Sequence, residues 1–146
     1  MRAGRSKRLA LLLAALAVAG PVVAQVVNPD PAVKAIMDMG VNPGALAFWA
    51  GGNEAPENET PLQAQARWTG AVEGARTLQA QGVQLQAHSR PGRWNEYAQL
   101  LADTAREGEA AALAKDADKA FEIGGRLYDS CNGCHKTYIP TPARLP

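Results

Sequence analysis

The sequence predicts an all-α domain arranged as an antiparallel four-helix bundle. Three observations predict it. Apolar residues recur in steps of three and four along four separate segments, each segment opens or closes on residues suited to cap a helix, and no run alternates as a half-buried strand would. Four such helices on short connections can bury their apolar stripes only against one another.

The domain is expected to begin after a leader. Arg2, Arg5, Lys7 and Arg8 precede an apolar run from Leu9 to Ala19, which Gly20 and Pro21 interrupt before Val22, Val23 and Ala24. A basic start, a short apolar core and a small-residue cleavage site are the parts of a secretory signal peptide, with cleavage placed after Ala24. An uncleaved membrane anchor is the alternative, but Gly20, Pro21 and Gln25 sit within the run. Residues 1–24 hold four of the fifteen cationic side chains and none of the fourteen acidic ones. What remains, residues 25–146, carries eleven against fourteen, a net charge of −3, and lacks the basic stripe with interleaved aromatics of a nucleic-acid binder.

Asp30 and Pro31 suit the N-cap and first position of the first helix, which carries Val33, Ile36 and Met37. Gly40, Asn42, Pro43 and Gly44 then predict a kink or split near Pro43 before the apolar stretch Ala45 to Ala50. A loop follows from Gly51 to Glu59. Thr60, Pro61 and Gln63 form a capping box for the second helix, with Trp68, Val72, Ala75, Leu78 and Leu85 on one stripe. After a polar break from His88 to Gly92, the third helix spans about Arg93 to Lys115, with Trp94, Tyr97, Ala98, Leu101, Ala105 and Ala112 on one face. The three tryptophans, Trp49, Trp68 and Trp94, are expected to pack in the core.

Asp116 caps the fourth helix, the most regular of all. Ala117, Ala120, Phe121, Gly124, Leu127, Tyr128, Cys131, Cys134, His135 and Tyr138 follow one another in helical steps, which predicts both cysteines and the histidine on its buried face. Ile139, Pro140 and Pro142 stop it, and the tail to Pro146 is expected to be extended.

The only two cysteines stand in the run Cys131, Asn132, Gly133, Cys134, His135. A disulfide between residues so close would restrain little chain entropy. Covalent haem attachment uses this spacing: two thiols on one helix face reach the two vinyl groups at one porphyrin edge, and the adjacent imidazole reaches the iron. The run therefore predicts one covalent haem c, held by Cys131 and Cys134 with His135 as axial ligand. A thioredoxin-type pair would need a strand before the helix, and zinc would need a fourth ligand, for which only His88 offers itself without recruiting carboxylates. His88 as a distal haem ligand is the weaker reading beside a solvated loop residue. Tyr128 and Tyr138, at steps of three from the motif, are expected to pack near the haem.

A haem motif near the C-terminus, preceded by Gly124-Gly125-Arg126-Leu127-Tyr128 and followed by Lys136-Thr137-Tyr138, resembles the class II cytochromes c, the cytochrome c prime family. The resemblance covers residues 30–139 and is most specific in the last helix. It implies a four-helix bundle with haem on that helix. Low-spin relatives place a methionine on the iron from the first helix, and Met37 stands where that residue is expected. Met39 lies about 200° of helical turn away, so the two cannot both face the haem.

The resemblance implies a periplasmic one-electron carrier with redox partner proteins, no catalytic residue and no enzyme activity, and homodimers are common in the family. Its alternative use is a five-coordinate haem protein that binds nitric oxide or carbon monoxide. Gas-binding members usually carry an arginine four residues after the haem histidine, where this chain has Ile139, and the family tends to carry another four residues before the distal position, where this chain has Val33 with Lys34 beside it. Both departures weigh against gas binding more than against the fold.

Overall fold

The computed structural model describes residues 30–139. The expected signal segment and the C-terminal tail lie outside the described residues. Within them the chain is all-helical and forms no strand. Its elements are α1 (Pro31–Ile36), a π-helical segment (Met37–Val41), α2 (Asn42–Gly52), α3 (Pro61–Ala87), α4 (Trp94–Ala114) and α5 (Ala117–Tyr138).

The helix starts follow the local chemistry of the caps. The Asp30 carboxylate accepts from the Ala32 amide at 2.9 Å, and the Thr60 hydroxyl and Gln63 side chain satisfy one another's backbone amides as a capping box. Asp116 accepts from the Lys119 amide at 3.0 Å. Lys115, with φ of 55°, turns the chain in the left-handed region between α4 and α5.

The expected split near Pro43 takes the form of the π-helical segment Met37–Val41 between α1 and α2. Helical backbone runs on from Pro31 to Gly52, because the turn before the proline widens: the Asn42 amide donates to the Met37 carbonyl five residues back. Proline lacks an N–H and its ring crowds the carbonyl four residues earlier. After the wide turn α2 restarts with Pro43 in its first turn, where a missing donor costs little.

Four helical units pack together: the α1–α2 unit, α3, α4 and α5. The most extensive contacts are α3 with α4 and α2 with α3, and α5 lies against both α4 and α2. Small residues set the spacing. A Cβ on Gly74 of α3 would sit 2.5 Å from the Gly44 carbonyl oxygen of α2, and one on Gly52 of α2 would sit 2.7 Å from the Phe121 amide nitrogen of α5. Both crossings therefore need glycine. Phe48, Leu78, Ile123 and Leu127 are the largest wholly buried side chains, and alanines such as Ala71, Ala75, Ala105 and Ala120 fill the space between helices.

The loop between α2 and α3 is fastened from below. Arg67 makes a fork to Glu59 at 2.7 and 2.9 Å and also donates to the Gly51 carbonyl at 2.8 Å, closing the end of α2.

Candidate functional site

The fourth stripe is narrower than its periodicity suggests. On α5 the buried residues are Ala120, Ile123, Gly124, Leu127 and Ser130, while Phe121 and Tyr128 are exposed at 67% and 60%. Ile123 was missed by the sequence reading, although its steps of three from Ala120 and four to Leu127 carry the signal. Cys131 and Cys134 are half-buried and His135 is exposed, a correction to the expected buried face. One residue turns a helix by about 100°, so His135 lies a full step past Cys134, beyond the arc that α4 and α2 cover.

That arc does not close at its C-terminal end. A cavity of about 470 Å³ opens among the helices, within the range of roughly 300–1,000 Å³ typical of cofactor sites. Cys131, Cys134, His135 and Tyr128 line it from α5, Trp94, Tyr97, Ala98 and Leu101 from α4, and Met37, Asn42, Ala45, Leu46 and Trp49 from the α1–α2 unit. A neighbouring cavity of about 400 Å³ shares Met37, Asn42, Trp94, Cys134 and His135, and adds Tyr138, Lys34 and Arg90. The structure thus brings Met37, Tyr128, Cys131, Cys134 and His135 to one wall system, with Tyr138 next door. Met39 is 77% exposed and lines neither cavity, and His88 lines neither, its Nδ1 lying 3.6 Å from Asp30.

The walls are held by bonds that sequence could not give. The Trp94 indole donates to the Leu85 carbonyl at 2.7 Å and the Trp49 indole to the Gly124 carbonyl at 3.1 Å, so both rings are fixed as apolar walls. Trp68 alone of the three is core with no part in this lining. The Tyr138 ring meets Trp94 edge-on at 5.0 Å, and its hydroxyl donates to the Pro91 carbonyl at 2.8 Å. Arg90 covers the Trp94 ring at 4.6 Å from the centroid. It sits in a loop with no periodicity and offered no prior signal.

The electrostatics separate the chemistries open to two thiols. Burial pushes the Cys131 thiol up, against a hydrogen bond with Ser130, and burial pushes up Cys134, helped by Cys131 and opposed by Arg90. Both stay protonated at neutral pH. They also occupy the C-terminal third of α5, where the helix dipole disfavours a thiolate, whereas reactive pairs of this spacing sit at helix N-termini. Among the described residues no three His, Cys, Asp or Glu side chains converge as a metal-binding group. What the cavity does offer is two neutral thiols, an imidazole and a thioether around a largely apolar volume.

No protein-family model, curated protein or solved structure matches this chain.

Proposed function

We propose that the chain is an exported c-type cytochrome, an antiparallel four-helix bundle that carries one covalent haem and passes single electrons between partner proteins. One observation carries this reading: Met37, Cys131, Cys134 and His135 line the same apolar cavity of cofactor size. When bound, haem supplies a one-electron couple at its iron.

The chain's own residues have distinct parts. Cys131 and Cys134 would hold the group through two thioether bonds, each the addition of an S–H across a vinyl C=C, which needs no oxidant. His135 would offer a nitrogen ligand and Met37 a thioether sulfur, the pair that raises a haem potential. Trp49, Trp94 and Leu101 exclude water, which favours the less charged form. Residues 1–24 direct export, and no helix among the described residues is long and apolar enough to cross a membrane.

The test is the optical spectrum of protein matured in a haem-attaching host. Ferric and ferrous low-spin spectra, unchanged by carbon monoxide, are expected, with haem that survives denaturation. A high-spin spectrum that shifts on adding carbon monoxide would replace electron transfer by gas binding, and absence of covalent haem would overturn the reading. N-terminal sequencing of the exported protein is expected to begin at Gln25.

A further inference from the structure

Glycine inside a helix is disfavoured against alanine, so each one on α5 invites a reason. Gly125 has none in the packing, since a Cβ there would meet nothing within 4 Å. Gly133, between the two cysteines, differs. A Cβ on it would lie 2.9 Å from Cε1 of Tyr97, closer than carbon atoms pack without repulsion, and in ordinary contact with its Cζ and hydroxyl oxygen at 3.5 Å. Tyr97 comes from α4, one turn after Trp94, and its ring lines the larger cavity together with both thiols. The Arg93 guanidinium lies over the ring, 5.1 Å from its centroid, and pairs with Glu96 at 2.6 Å on the surface.

We infer that Tyr97 is the positioning residue of the thiol pair: its ring seats on Gly133 and sets the Cys131–Cys134 turn against α4. The ring does this, not the hydroxyl, because the tightest contact is to a ring carbon. Any side chain at position 133 pushes that turn away from the cavity and misplaces both sulfurs together. Two thioethers to one rigid ring tolerate little displacement, so double attachment is the property most sensitive to it. The inference rests on the haem reading for this readout, whereas thiol reactivity tests it without haem.

The experiment compares wild type, Gly133→Ala, Gly133→Ala with Tyr97→Ala, Tyr97→Ala and Tyr97→Phe as full chains. After maturation in a haem-attaching host, the denatured haemochrome spectrum separates doubly from singly attached haem. Gly133→Ala is expected to lose most double attachment, Tyr97→Ala in the same chain to restore it, and Tyr97→Phe to match wild type. Double attachment unchanged in Gly133→Ala, or no better in the double variant, overturns the inference. In the haem-free chain, alkylation of Cys131 and Cys134 should quicken several-fold in Tyr97→Ala and stay at the wild-type rate in Tyr97→Phe. Equal rates in all three overturn it even where Gly133→Ala fails to fold. If wild type holds no covalent haem, the haem reading falls and the alkylation arm decides the role of Tyr97.

Discussion

The two ends of this helix assembly are made by the same helices and packed in opposite ways. At one end Phe48 is wholly buried, and a Cβ on Gly108 of α4 would come within 2.8 Å of its ring and 3.5 Å of the Ile123 side chain of α5. At the other end α2, α4 and α5 part around about 470 Å³ walled by Met37, Trp94, Tyr97 and the cysteine pair. Protein interiors gain dispersion energy from close packing and lose it along every unfilled wall. A chain that buries Phe48 and Ile123 wholly at one end and keeps a cofactor-sized gap at the other has placed its packing strength in the closed end, and its cysteines and histidine at the open one.

This division predicts unequal costs for similar truncations. Phe48→Ala removes the side chain on which the closed end is built and is expected to cost about 3–5 kcal/mol in urea unfolding. A cost near 1 kcal/mol would mean that the closed end is as loose as the open one. Gly74→Ala should also destabilise, by about 1–3 kcal/mol, although alanine is the better helix former, because its Cβ would press on the Gly44 carbonyl. A stabilised Gly74→Ala would show that α2 and α3 can separate without loss.

At both ends, contacts between residues close in the chain were the legible ones. Helix starts at Asp30, Thr60 and Asp116 could be read because a cap is a contact between residues two or three apart. The cysteine and histidine run was legible for the same reason. The wide turn at Met37–Val41 was not, since it answers both to Pro43 and to a neighbour: a Cβ on Gly40 would lie 2.5 Å from the Gln81 side chain of α3. The buried arc of α5 was overdrawn at Phe121, Tyr128 and His135, because periodicity gives the direction of a stripe and the partner helices give its width. A cavity depends on side-chain sizes facing one another across helices, and so the contact of Tyr97 with Gly133 had no local trace.

At the open end Met37→Ala is expected to be mild in the haem-free chain. Met37 is half-buried and one side of it already faces the cavity, so about 1 kcal/mol should be lost, less than the roughly 2–5 kcal/mol of a fully packed methionine. On the haem reading the same variant converts the spectrum to high spin. A full core penalty with an unchanged spin state would instead make Met37 part of the packing.

The smallest effect concerns how the closed end is fastened on its surface. Glu109, next to Gly108, accepts from Gln79 Nε2 at 2.8 Å and Arg76 Nε at 2.7 Å, both on α3. Those two bonds, Gln79 first, hold its carboxyl below the ordinary value of 4.5. A carboxylate whose pKa is lowered by folding lends stability that is full above the unfolded value and is lost as pH falls through the folded one. Glu109→Gln should therefore lower Tm slightly at neutral pH, the pair being largely solvent-screened, and the two melting curves should converge as pH drops below that range. A gap that persists in acid would mean that α3 and α4 are joined there by packing alone, as Phe48 and Gly108 join α2 and α4 beneath it.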